Sequence, residues 1–168
     1  MISHTKFSAL KLADFCPGDP QYREWEDDGG ELLVESIRGV DFARHALVES
    51  GVLDITIDLL DYGENPSAGV EVLKYIGFPV TRATAYPEVV ALLGQPKSSR
   101  LDPDRGYDYF RTDFHVFAVP PPNGYEIWCS WLHPGSVGRH PPLRTKELCL
   151  WSVRIRRDDI KSFPWRDD

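Results

Sequence analysis

The sequence predicts an α+β fold, an antiparallel sheet with a few helices packed mainly on one face, and three observations carry that prediction. Residues 107–157 form an aromatic-rich run of strand-like segments separated by turn signals. Residues 52–62 alternate cleanly, with Leu53, Ile55, Ile57 and Leu59 opposing Asp54, Thr56 and Asp58, the period-2 pattern of a half-buried strand. Between these regions, residues 85–93 carry a helical stripe. Strands and helix mixed early, followed by a meander of strands, is the order of an α+β domain. At 168 residues, 42% of them hydrophobic, the chain suits one domain over 1–168, because two cores would each be small.

Taken in order, residues 7–12 read as a short strand, and Cys16-Pro17-Gly18-Asp19-Pro20 as a turn-rich break. Residues 31–37 read as a strand. Asp41 is a good N-cap for a short helix carrying Phe42, Ala46 and Leu47, which Gly51 would end. Residues 70–76 fit two periods: Val70, Val72 and Ile76 suit a strand, while Val72, Leu73 and Ile76 suit a helix. Close bracketing by Gly69 and Gly77-Phe78-Pro79 favours the strand. In 85–93, Pro87 fits the first turn, and Val89, Leu92 and Leu93 form one apolar stripe. Gly94 suits a left-handed terminus and Pro96 forbids continuation. Residues 97–105 are polar and show no period. Strands follow at 106–111 and 113–119. The Asn123-Gly124 turn signal then sends Tyr125–Leu132 back antiparallel. Residues 133–143, rich in Gly and Pro, read as a loop, and 146–156 as the last strand.

The formal net charge is -7. A phosphate-binding surface needs a Lys/Arg excess on one face. The only basic cluster, Arg154, Arg156 and Arg157, is followed at once by Asp158 and Asp159. Nucleic acid is therefore not an expected partner. Negative charge keeps a protein soluble and also steers a basic protein partner. No stretch approaches the roughly 20 apolar residues of a membrane helix, and Met1 to Phe15 contain no apolar run suited to a signal peptide. A cytoplasmic location without membrane contact is the expectation. Three cysteines, Cys16, Cys129 and Cys149, do not make a disulfide scaffold. Cys129 and Cys149 sit in apolar strand patterns, where free Cys behaves as a small hydrophobe.

No catalytic signature stands out. Cys129, His133, His140 and Cys149 are ligand types in one region, but zinc sites place ligands in close pairs, which this spacing lacks. No metal and no cofactor are expected. Ser130, His115 and Asp113 list the members of a nucleophilic triad without a Gly-x-Ser-x-Gly elbow. They are the polar groups of an alternative reading, a small-molecule-binding or hydrolytic domain with a pocket on the sheet. Asp54 and Asp58 share a strand face about 13 Å apart, too far for a catalytic carboxylate pair. They read as a solvated face.

The remaining candidate is a mixed polar-aromatic sheet face. With Ile127 and Cys129 inward, Glu126, Trp128 and Ser130 point away from the core. The same parity sends Phe114, Val116 and Ala118 in, leaving His115 and Phe117 out. On the last strand it sends Cys149, Trp151, Val153 and Ile155 in, leaving Leu150, Ser152 and Arg154 out. Tyr107 and Tyr109 share a face with Arg111. Tyr107, Tyr109, His115, Phe117, Glu126, Trp128, Ser130 and Arg154 are thus the candidate partner-binding residues, since Tyr, Trp, Phe and Arg dominate interface energetics. The same face is also a candidate homodimer surface.

The segment Val89-Val90-Ala91-Leu92-Leu93-Gly94-Gln95-Pro96, preceded by Thr84, resembles the helix-then-Gly-x-Pro segment of small outer-membrane-assembly lipoproteins and of β-lactamase-inhibitor-protein-like domains. The following 107–110 strand and meander resemble that order too. The resemblance implies helices on one face of an antiparallel sheet, with the other face or its loops binding proteins. Similar sheet-and-helix domains occur among bacterial immunity proteins, which bind and neutralise a toxin. The expected function is therefore non-enzymatic protein binding, with an immunity-type inhibitor as the narrower form implied by the resemblance.

Overall fold

The alternating segment at 52–58 becomes the strand on which two halves of a single sheet meet. The computed structural model describes residues 1–15, 18, 22–26, 32–37, 40–45, 51–59, 67–101, 112–119, 124–133 and 148–158. Strands β1 (Arg23–Glu26), β2 (Leu32–Ile37), β3 (Val40–His45) and β4 (Val52–Asp58) form one antiparallel meander. Strands β5 (Ser98–Leu101), β6 (Thr112–Val119), β7 (Tyr125–Leu132) and β8 (Cys149–Arg157) form a second. The last strand of each meander pairs with the other, giving eight strands in the order β1-β2-β3-β4-β8-β7-β6-β5. The α+β class with an antiparallel sheet follows directly.

Helices α1 (His4–Ser8), α2 (Ser67–Ile76) and α3 (Tyr86–Leu93) bury their apolar residues in one cluster on one sheet face. Two cross-strand rows line that face. One is Phe42, Ile55, Ile155, Ile127 and Phe117; the next is Val40, Ile57, Val153, Cys129 and His115. Cross-strand partners project to the same side, so each row is a continuous strip. Phe42, Ile55, Ile155, Ile127 and Phe117 are all 0–1% exposed, and burying such side chains contributes about 1.5–3 kcal/mol each.

Several elements differ from the sequence reading. Residues 70–76 belong to α2, which buries Val72, Leu73 and Ile76. The helical period wins because those three residues meet the sheet together, and a short apolar run does not reveal which neighbour it will meet. Gly69 explains the close approach: a Cβ there would lie 2.6 Å from Ile57 Cγ2. The bracketing glycine is a packing contact on the helix. Asp41 caps no helix; it lies in β3, paired across the strands with Ser36, whose hydroxyl donates to its carboxylate. The short strand expected at 7–12 is replaced by α1 and a 3₁₀ turn at Leu12–Phe15. Its Leu12 N–H donates to Glu35 Oε2 at 2.9 Å, giving a buried carboxylate on the helical face a partner. The polar stretch after Pro96 contains β5, exposed along its length and therefore without an apolar period. The strand expected at 106–111 lies outside the described residues.

Helix α3 forms as the sequence indicates. Pro87 sits in its first turn, Glu88 Oε2 accepts the Ala85 N–H at 2.7 Å, and Gly94 ends it with φ 83°. The start of the helix is fixed to the sheet, because Trp131 Nε1 donates to the Thr84 carbonyl at 3.0 Å.

Candidate functional site

The face of the sheet opposite the helices carries three cross-strand rows in its centre. They are Asp54, Arg156, Glu126 and Ala118; Thr56, Arg154, Trp128 and Val116; and Asp58, Ser152, Ser130 and Phe114. The described helices pack into the other face. Of the expected partner-binding residues, Glu126, Trp128, Ser130 and Arg154 come together here, half-buried on adjacent strands.

Trp128 is the hub. Its indole lies 4.8 Å under the Arg154 guanidinium and edge-on to Phe114, with ring centroids 5.9 Å apart. Its Nε1 donates to Glu126 Oε1 at 2.5 Å. Glu126 in turn pairs with Lys97. Arg154 is held from the other side by Asp54: Nε lies 3.0 Å from both carboxylate oxygens and Nη2 2.7 Å from Oδ2. This forked geometry suits only a guanidinium. Asp54, Arg154, Trp128, Glu126 and Lys97 thus form one connected network crossing four segments of chain.

The electrostatics match the contacts. Burial alone would raise the Glu126 carboxyl, but hydrogen bonds from Lys97 and Trp128, with the charges of Lys97 and Arg156, outweigh it and hold it below the ordinary carboxylate value. Glu126 is therefore ionised at neutral pH and accepts from both donors.

Two expected residues lie on the wrong side. His115 and Phe117 face the helices, 6% and 0% exposed, paired with Cys129 and Ile127. Phe114 and Val116 take the outer face instead. The inversion has a simple cause: β6 is apolar at both parities, and only its register with β7 decides which set goes in. His115 is accommodated among rings, with Tyr86 at 4.4 Å and Trp131 at 5.5 Å between centroids.

On β8 a second expectation fails. The register shifts between Ser130 and Trp131, so Ser130 pairs with Ser152 but Trp131 with Leu150. Trp151 is the extra residue of a bulge. Leu150 therefore joins the helical face, while Cys149 and Trp151 gather with Leu132 in a separate cluster. Cys129 and Cys149 end on opposite faces and cannot share a metal ion. Burial pushes the Cys129 thiol up to about 12, so it is no nucleophile near neutral pH. His140, Tyr107 and Tyr109 lie outside the described residues.

The triad members do not converge either. Ser130 is on the outer face and His115 on the helical face. Asp113 accepts from, or pairs with, His133 Nε2 at 2.8 Å. The arginine cluster of β8 is also divided: Arg154 and Arg156 lie outward, while Arg157 is 9% exposed on the other side.

The sequence reading missed Asp54, Phe114 and Lys97 as members of the site. Asp54, expected on a solvated face, is 6% exposed. The available signal was the arginine-rich strand β8, since an acid that becomes buried needs a partner and β8 offers cations for one.

No family model matches the chain, and no curated protein or solved structure matches it. Among the described residues, no helix is long and apolar enough to cross a membrane.

Proposed function

We propose that this chain is a protein-binding domain that occludes its partner with the outer face of the sheet, centred on Trp128 and Arg154. One observation carries the reading: the Trp128 indole is fixed by Arg154, Glu126 and Phe114 on the face that the described helices leave uncovered. Trp and Arg are the commonest binding hot spots. Holding them in place before contact lowers the entropy lost on association. The rim carries both signs, with Lys97 and Glu126 side chains 48% and 27% exposed, which suits a partner of mixed charge in contact. The net charge of -7 favours a basic partner during approach. An immunity-type inhibitor, binding one target stoichiometrically, is the narrower form of this reading.

Capture experiments with the full chain test it. A partner retained by the wild type should be lost by Trp128→Ala and Arg154→Ala, each weakening binding about thirtyfold for a loss of about 2 kcal/mol. It should be retained by Trp25→Ala, a 44% exposed tryptophan at the far edge of the same face. If every captured protein stays bound to Trp128→Ala, this face is not the binding site. Light scattering on the wild type identifies a second copy as the occupant if the mass is that of a dimer.

A further inference from the structure

We propose that Ser99 and His115 form a nucleophile–base pair at the β5 edge, able to take an acyl group from a small activated carboxylic ester. The site is separate from the outer face and does not depend on its role. Ser99 and His115 are cross-strand partners on β5 and β6, and Ser99 Oγ lies 2.7 Å from His115 Nδ1. Their environments differ in the way this chemistry needs. Ser99 is exposed on the last strand of the sheet, where only β6 pairs with it among the described strands. His115 is 6% exposed beneath it.

The base is held and tuned by its surroundings. Tyr86 at the start of α3 lies along the imidazole at 4.4 Å, and Trp131 stands edge-on at 5.5 Å. Burial lowers the His115 pKa below its ordinary value, with the Asp113 charge opposing. The ring is therefore neutral at pH 7, and its Nδ1 accepts when Nε2 carries the proton. Asp113, two residues earlier on the same face of β6 and held by His133, supplies negative charge that stabilises the imidazolium as it forms.

In the reaction, Ser99 Oγ attacks the ester carbonyl carbon while its proton passes to His115 Nδ1. The carbon–oxygen bond to the alcohol portion breaks, and the leaving alkoxide takes up the proton from His115; a stable phenolate leaves unprotonated, and His115 then gives its proton to solvent. The acyl group stays on Ser99 Oγ. Water activated by the same nitrogen can then release it as the free acid.

Neighbouring Ser98 is an internal control. It is also exposed but projects to the opposite face, paired with Val116 and away from the imidazole. The full chain is treated with p-nitrophenyl acetate, and the acetylated residues are located by peptide mass mapping with hydroxylamine release. Ser99 should carry the ester at about a hundred times the rate of Ser98, the lower end of general-base acceleration. Ser99→Ala should remove it. His115→Gln should slow Ser99 labelling by a similar factor, with folding checked by thermal melting. Equal labelling of Ser98 and Ser99 in the wild type overturns the proposal without reliance on any variant. So does an undiminished rate in folded His115→Gln.

Discussion

His115 and Trp128 lie on neighbouring strands and both combine a ring with a polar nitrogen, yet they have opposite surroundings. His115 is enclosed by Tyr86, Trp131 and Phe117 on the helical face. Trp128 is half-buried and held by a cation, a carboxylate and a single ring on the outer face. The difference teaches that the two faces of these strands are held together in different ways. One is apolar and cooperative; the other is a charged lattice on a surface. Burial on the first face stabilises the fold, and ordering on the second holds Trp128 in the position that the proposed binding role requires.

The sharpest way to break this distinction is to truncate one large side chain on each face. Phe117→Ala, at a position 0% exposed, should cost about 3–5 kcal/mol in chemical denaturation. Trp128→Ala should cost about 1 kcal/mol, since its side chain is only half-buried and its contacts are partly solvated. Equal losses would mean that the outer face is a second structural core. Next in size is Gly69→Ala. The added methyl meets Ile57 Cγ2, and overpacking outweighs the gain in helix propensity, for a net loss of about 2 kcal/mol.

Removing either partner of the forked ion pair should give unequal results. Arg154→Ala leaves the buried Asp54 carboxylate without its main donor, and should cost about 2 kcal/mol. Asp54→Ala leaves a guanidinium that is 32% exposed and able to reach water, and should cost about half as much. A denaturation series that reverses this order would show that the network is organised around the arginine.

Acid should affect the two faces in sequence, with the smallest effect of the four. His115 has a folded pKa below its ordinary 6.5. The unfolded chain therefore binds that proton first, and stability falls as pH drops through 6.5. Glu126 has a folded pKa below its ordinary 4.5. Its contribution is complete above 4.5, declines as pH falls below 4.5 and is lost once pH passes the lower folded value. His115→Gln should flatten the first decline in a pH-stability curve, and Glu126→Gln the second. If Glu126→Gln alters the near-neutral limb, the assignment of that limb to the helical face is wrong.

Regularity determined how much of this was legible in advance. Strand β4, strand β7 and helix α3 each show a clean period and a clear terminus, and the sequence reading located them. The even-numbered set on β7, Glu126, Trp128 and Ser130, and Arg154 on β8 were accordingly found as a group. Strand β6 is apolar on both parities, so no local pattern could orient His115 and Phe117. The bulge at Trp151 is a register property of two strands and leaves no mark in one of them. Helix α2 is short enough that Val70, Val72 and Ile76 satisfy a strand. Strand β5 exposes every residue, so Ser99 had no pattern to draw attention to it. In each case the missing information lay in the neighbouring element.

The topology also sets when the outer face comes into being. Asp54 and Arg154 are 100 positions apart in the chain, and their strands meet only where the two meanders join. Strands paired within each meander are near neighbours in sequence, whereas the β4–β8 seam closes a much longer stretch of chain. During synthesis, then, the outer face proposed for binding is incomplete until β8 has been made and pairs with β4. Only when β8 emerges and zips onto β4 does the arginine reach its clamp, so maturation of the surface and completion of the sheet are a single event.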